Sequence, residues 1–227
     1  VHLPKTIDND LAGTDMTCGF YSAVDIATES IDRIHTTANS HGRIFIVEIM
    51  GHKVGSLPLY SGIASGADII LIPEIPYDIN VVCNALERRS KSGSRFSIIA
   101  VAEGAISKED AELKKKQAKD AKKYPSVAYK LADEIGQRCK QEIRIAVPGH
   151  TQRGGQPNAY DRVLSTRLGA YAAQMIVNQR FGRMAAIKND KIVEVKLGDV
   201  AGKLKKVDPD SEIIAQARLI GISFGDR

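Results

Sequence analysis

The strongest constraint on this chain is a repeated exchange of hydrophobic period over its first 150 residues. Short β-branched runs at 43–50 (RIFIVEIM), 68–73 (DIILIP), 96–103 (FSIIAVAE) and 143–148 (IRIAVP) each end at an acid, a glycine or a proline. Runs this short and this apolar predict strands buried on both faces. Between them, 14–38, 57–66, 78–92 and 107–139 carry helical spacing, the last interrupted at Pro125. Strands alternating with helices imply parallel neighbours joined by right-handed crossovers. The predicted fold is α/β: an open, mostly parallel, Rossmann-like sheet with helices on both faces.

Beyond residue 150 the pattern changes. A long amphipathic helix at 158–179 precedes two short strands, 184–188 and 192–196, separated by an Asn189-Asp190 turn that predicts a hairpin. A lone hairpin cannot bury a helix of about six turns. Residues 151–205 are therefore expected to be part of a second α/β domain whose main body precedes Val1. The expected division is 1–13 with that second domain, 14–150 as the sheet domain, 151–205 as the remainder of the second, and 206–227 as a C-terminal helix and tail.

At 227 residues, with 43% hydrophobic and 26% charged side chains, the chain is not a disordered one. It has no apolar run of the ~18 residues a membrane span needs and no secretory signal pattern in its first twenty residues, so a cytoplasmic protein is expected. Cys18, Cys83 and Cys139 lie far apart in sequence without CxxC spacing, which suits a reducing compartment and predicts small buried apolar groups. The formal charge of +5 resides in 114–123 (KKKQAKDAKK), so the rest of the chain sums to zero. No aromatic side chains are interleaved there to stack on bases, and the run is expected to be a solvated helix face, with neither nucleic acid nor membrane as partner.

In open α/β sheets, ligands sit beyond the carboxyl ends of the strands. The residues there are Met50-Gly51-His52-Lys53, Pro73-Glu74, Glu103-Gly104 and 149–155 (GHTQRGG). Glycines admit close approach of a ligand, while Glu103, His150 and Arg153 suit hydroxyls and a phosphate. In the heptapeptide 4–10 (PKTIDND), an extended backbone would project Asp8 and Asp10 to one side, where they could share a hydroxyl or a magnesium ion. Asp8 is then a candidate base for a hydroxyl attacking a phosphoryl group, with Lys5 and Thr6 nearby. Arg43 and Arg144 open their strands, and Arg43 lies roughly 23 Å from the crevice its own strand serves. They are either surface charges or contributions to a neighbouring subunit's site. The GHTQRGG stretch is no P-loop, since Gly155 stands where lysine is required, and the histidines lack zinc-site spacing.

Taken together, PKTIDND, MGHKVG at 50–55, AEG at 102–104, and PGHTQRGG at 148–155 followed by AYDR at 159–162 resemble the phosphofructokinase family, in order and comparable spacing over essentially the whole chain. The resemblance implies transfer of a phosphoryl group from ATP or pyrophosphate to the 1-hydroxyl of fructose 6-phosphate, the committed step of glycolysis, with Mg2+ and in a homo-oligomer (dimer or tetramer). It implies Asp8 as base with Thr6 and Asp10 at the reacting group. It implies Met50, with Gly51 and His52, and Glu103 against the sugar, and His150 and Arg153 around its 6-phosphate. Arg43 and Arg144 match arginines that serve the adjoining subunit. On this basis 1–13 and 151–205 are the donor-binding domain and 14–150 the fructose 6-phosphate domain.

Three departures qualify the match. Lys5 stands where short bacterial ATP-using members have glycine and resembles the pyrophosphate-dependent enzymes and a mixed group containing ATP users. His52 replaces an arginine, and the glycine-rich donor motif is expected upstream of Val1. No metal ligand is assigned beyond Asp10 as a candidate, and the donor stays open. A non-catalytic sugar-phosphate-binding subunit is the alternative reading.

Overall fold

The computed structural model describes residues 1–113 and 124–227. The lysine run at 114–123, expected to form a solvated helix, lies outside the described residues. The four predicted strands appear as β1 (Ile44–Ile49), β2 (Ile69–Leu71), β3 (Ser97–Ala102) and β4 (Ile143–Ala146). They form one parallel sheet in the order β2-β3-β1-β4, with Ile44 opposite both Ser97 and Ile143. β1, β2 and β3 are buried throughout, whereas β4 is a half-exposed edge. The expectation of four strands buried on both faces therefore fails at β4, where Arg144 is exposed; β2, the other edge, stays buried because the chain around Ser223 pairs with it, the Ile70 N–H donating to Ser223 O at 2.9 Å.

Strand alternation divides the core cleanly. Phe45, Val47, Ile49, Ile70, Ile98 and Ala100 face α1 (Phe20–His41), α2 (Ser56–Ala64) and α8 (Glu212–Leu219). Ile44, Ile46, Ile69, Leu71, Ile99 and Val101 face α3 (Ile79–Lys91) and α5 (Val127–Gly136). A short α4 (Lys108–Leu113) follows β3, and residues 124–126 bend before α5 starts at Val127, so the chain is not helical at Pro125, as predicted. After the 3-10 turn Gly149–Arg153 come α6 (Ala159–Val177), the antiparallel pair β5 (Arg183–Lys188) and β6 (Lys191–Lys196), and α7 (Leu197–Val200). Asn189 and Asp190 both have positive φ, 48° and 59°, as a two-residue hairpin turn with the twist of its strands requires. The opening residues run beside β5: the His2 N–H donates to Arg183 O and the Ala185 N–H to His2 O.

α1 begins at Phe20, later than the predicted Thr14. Residues 14–18 are drawn into tertiary bonds instead. The Thr14 hydroxyl accepts from the Ile187 N–H at 3.1 Å, and the Cys18 N–H donates to Pro4 O at 2.9 Å. Gly19 then takes φ 98°, and the helix starts against a side chain from α6. Asp161, 2% exposed, accepts from the Gly19 N–H (2.8 Å), the Ser22 N–H (2.7 Å) and the Ser22 hydroxyl (2.6 Å). A carboxylate at a helix N-terminus satisfies otherwise unpaired donors and complements the helix dipole.

The cysteine expectation is revised. All three thiols are half-buried rather than buried, and Cys83 lies within hydrogen-bonding reach of Cys139, with burial as the main cause pushing its thiol up to about 12. Among the described residues, no helix is long and apolar enough to cross a membrane.

The Asp161 contacts generate a test. Asp161→Ala leaves two backbone N–H groups and a hydroxyl unpaired and is expected to cost about 2–3 kcal/mol, read by urea unfolding. A loss within experimental error would show that water replaces the carboxylate.

Candidate active site

The loops that leave the carboxyl ends of β1, β3 and β4 are tied together by two side chains. Glu103, just past β3, accepts from the Gly51 N–H (3.2 Å) and the His52 N–H (2.6 Å) of the β1 loop. Gly104 permits this closeness, since a Cβ there would stand 2.1 Å from the His52 carbonyl oxygen. Gln152, 1% exposed, accepts from the Met50 N–H at 3.1 Å and donates to Gly149 O at 3.2 Å. It joins the β1 loop to the β4 loop. Sequence reasoning missed Gln152; the available signal was an amide, donor and acceptor in one group, set between two candidate phosphate-binding residues.

Glu74, after β2, has its carboxylate committed to the Gly55 N–H (3.1 and 3.0 Å to its two oxygens) and the Val207 N–H (3.0 Å). It fastens the start of α2 and the C-terminal segment to the sheet, leaving the chemistry to the other loops.

The 4–10 segment crosses this edge of the sheet. Its backbone is not the extended strand that the same-side expectation for Asp8 and Asp10 assumed: residues 7 and 8 bend, and Asn9 adopts φ 51°. The left-handed residue between them, not strand alternation, sets the relation of the two carboxylates. The bend is supported locally, with the Asp8 N–H donating to Thr6 Oγ1 at 3.1 Å and the Thr17 hydroxyl donating to Thr6 O at 2.6 Å.

Burial raises the Asp8 carboxyl above its ordinary value, the neighbouring Asp10 and then Glu103 raise it further, and Arg153 and His52 oppose them. Asp10, Glu103, Arg153 and His52 thus all lie within electrostatic reach of Asp8. One carboxylate oxygen, Asp8 Oδ1, is buried with no hydrogen-bond partner. An unpaired buried carboxylate oxygen is costly, and it is the kind of group that a ligand's hydroxyl or a cation would satisfy. Among the described residues no three acids, cysteines or histidines form a metal cage. Two adjacent carboxylates nevertheless fit Mg2+, which keeps several waters and takes most other ligands from substrate phosphates.

The other expected residues are distributed as follows. Lys5 is exposed and bridges Cys18 through its backbone; Met50 and Gly51 are buried in the β1 loop; His150 is exposed on the 3-10 turn that also carries Arg153. Arg43 and Arg144 are not part of the Asp8 cluster. They stand side by side at the amino ends of β1 and β4, both paired with Glu142, whose carboxyl Arg43 above all holds below its usual range.

The Asp8 environment has a signed consequence. Its folded-state pKa lies above the unfolded one, so the ionised carboxylate lowers stability above the folded pKa, and the penalty fades as pH falls through it. Asp8→Asn is expected to unfold at higher urea than the parent at pH 7, with the advantage shrinking toward about pH 4. An advantage that grows on acidification would contradict the assignment.

Residues 1–176 match the family model for phosphofructokinase. The chain is 49% identical to an ATP-dependent 6-phosphofructokinase of Spirochaeta thermophila and 48% identical to ATP-dependent 6-phosphofructokinase 3 of Bacteroides thetaiotaomicron, alignments that cover 100% and 99% of this chain and 63% of each relative. In structure it is similar to phosphofructokinase from Saccharomyces cerevisiae (TM-score 0.73, 34% identity, 86% of this chain and 25% of that one). The fold also matches a pyrophosphate-dependent phosphofructokinase from Nitrosospira multiformis (TM-score 0.79, 23% identity, 93% and 55%). The chain therefore spans somewhat less than two thirds of those two bacterial relatives. With the family model matched over residues 1–176 and relatives 48–49% identical along essentially its whole length, the chain belongs to the phosphofructokinase family.

Proposed function

We propose that this chain supplies the fructose 6-phosphate site and the catalytic carboxylates of a 6-phosphofructokinase that forms fructose 1,6-bisphosphate in glycolysis. The observation that carries this reading is the buried, unpartnered oxygen of Asp8, in the field of Arg153 and Glu103 at the carboxyl edge of the sheet. Asp8 Oδ1 takes the proton of the sugar's 1-hydroxyl as that oxygen attacks the transferring phosphorus. Burial and the nearby acids raise the basicity of Asp8, which suits a base working near neutral pH. Glu103, held from the β1 loop, and Met50 orient the sugar, while Arg153 and His150 receive its 6-phosphate, and Thr6 and Lys5 flank the reacting group. Asp10 with Asp8 would hold Mg2+, which supplies charge compensation on the transferring group.

In this reading 1–13 and 151–205 belong to the donor-binding domain, 14–150 is the fructose 6-phosphate domain, and 206–227 is a C-terminal helix and tail. The backbone pairing of His2 with β5 supports grouping the first segment with the hairpin. The donor is ATP or pyrophosphate. The ATP-dependent names of relatives at 44–49% identity favour ATP, and Lys5 is the feature that resembles pyrophosphate users. The working protein is a cytoplasmic homo-oligomer, a dimer or tetramer, in which Arg43 and Arg144 leave Glu142 to meet the 6-phosphate at a neighbour's site.

The test is turnover of fructose 6-phosphate with Mg2+ and either donor, measured on the complete polypeptide that carries this sequence. Asp8→Asn is expected to lower kcat by about 10²- to 10⁴-fold with little change in KM for the sugar, and undiminished turnover would overturn the role of Asp8. Sugar binding without turnover by either donor would indicate the non-catalytic subunit. Mixing Asp8→Asn with Arg144→Ala protomers is expected to restore part of the activity lost in each, since some hybrid sites carry both native groups; no restoration would place the arginines outside the neighbour's site.

A further inference from the structure

Lys205 lies in the segment after α7, nearly 200 residues from the heptapeptide, in a run (KLKK, 203–206) that reads as surface charge. Its side chain instead points inward. The ammonium donates to Asn9 Oδ1 at 2.8 Å, to Thr14 O at 3.0 Å and to Asp15 O at 2.8 Å, so each of its three N–H donors has an acceptor. Its backbone N–H adds a fourth bond, to Asp10 O at 2.8 Å, beside the Leu11–Leu204 bridge. One residue therefore grips segment 9–15 at four points. Asn9, the left-handed residue that separates Asp8 from Asp10, is only 6% exposed and has its side-chain carbonyl on this ammonium.

We propose that Lys205 is a positioning residue for phosphoryl transfer, a strut that fixes the Asn9 turn and so sets the two carboxylates of the heptapeptide. The inference rests on the phosphofructokinase reading above and adds to it a residue outside the sugar and carboxylate motifs. Lys205 acts through loop shape. The charges that move the Asp8 carboxyl are those of Asp10, Glu103, Arg153 and His52, whereas Lys205 faces the charges of Asp15 and Asp10. Burial pulls the ammonium down to about 8, a cost that a solvated lysine would not bear and that its bonds to the loop offset. Without the strut, the Asn9 amide and the carbonyls of Thr14 and Asp15 lose their partner. The turn can then relax without touching Glu103 or Arg153, which in the proposed reading hold the sugar from other loops.

The consequence is a split in the kinetics. In the complete polypeptide, Lys205→Met keeps the stem and removes the three donors; kcat is expected to fall about 10- to 100-fold, with KM for fructose 6-phosphate within about twofold. Exposed Lys206→Gln is expected to match the parent. Hydrogen exchange supplies a readout independent of turnover: amides of 8–15 should exchange faster in Lys205→Met, and those of β1 and β3 should not. If Lys205→Met does not fold, Asn9→Gly, which allows the left-handed backbone but removes the acceptor, carries the same expectation. An unchanged kcat, a raised KM at constant kcat, or unchanged exchange at 8–15 in a folded variant would overturn the proposal. Absence of phosphoryl transfer by the unsubstituted protein would instead overturn the reading on which it rests, and the exchange experiment would still report on the strut.

Discussion

The central strand β1 is the member on which the site depends. It is buried throughout, flanked in register by β3 and β4, and covered by α1 and α2 on one face and α5 on the other. Such a strand cannot shift by one residue without turning Phe45, Val47 and Ile49 to the wrong layer. Its last residue therefore delivers Met50, Gly51 and His52 to a fixed point, where Glu103 and Gln152 hold the loop by its backbone N–H groups. At its other end, Arg43 is carried away from that point by the length of the same strand.

Buried and half-buried acids recur through the structure and divide into two kinds. Glu48 accepts from the Ala128 N–H at the start of α5, Asp161 caps α1, and Glu74 binds the start of α2. Each has its charge met by backbone donors at a helix N-terminus, and each joins elements distant in sequence. Asp8 is of the other kind: one oxygen has no partner, acids stand close by, and its pKa moves upward. Acids of the first kind stabilise the fold. The second costs stability, because its charge is not met by donors within the chain.

Much of the fold was legible because burial on both faces writes itself into a strand as a continuous apolar run, and the Asn189-Asp190 turn into two residues that tolerate positive φ. The expectations that failed did so where a distant partner decided the outcome. Residues 14–18 have helical spacing but bond to β5 and to Pro4, so α1 starts at Phe20. β2 and β4 are both edge strands, yet nothing local says that the C-terminal segment around Ser223 covers β2 and leaves β4 half-exposed. Cys83 and Cys139 meet because α3 and the end of α5 share one face of the sheet. Of the candidate site, the residue types were readable from the motifs. The bend at Asn9, which replaces the assumed extended geometry, was not.

By itself the sequence determined the class of fold, the strand ends where a ligand would lie and the acids and bases offered there, because these follow from local period and from chemistry at fixed spacing. Only the tertiary structure decided which acids are spent on helix ends and which is left open, that Gln152 and Lys205 reach the loops they hold, and that Arg43 and Arg144 share Glu142 at the far edge. Hydrogen bonds and charges act through space over a few ångströms, and the residues they join here stand as many as 196 positions apart along the chain.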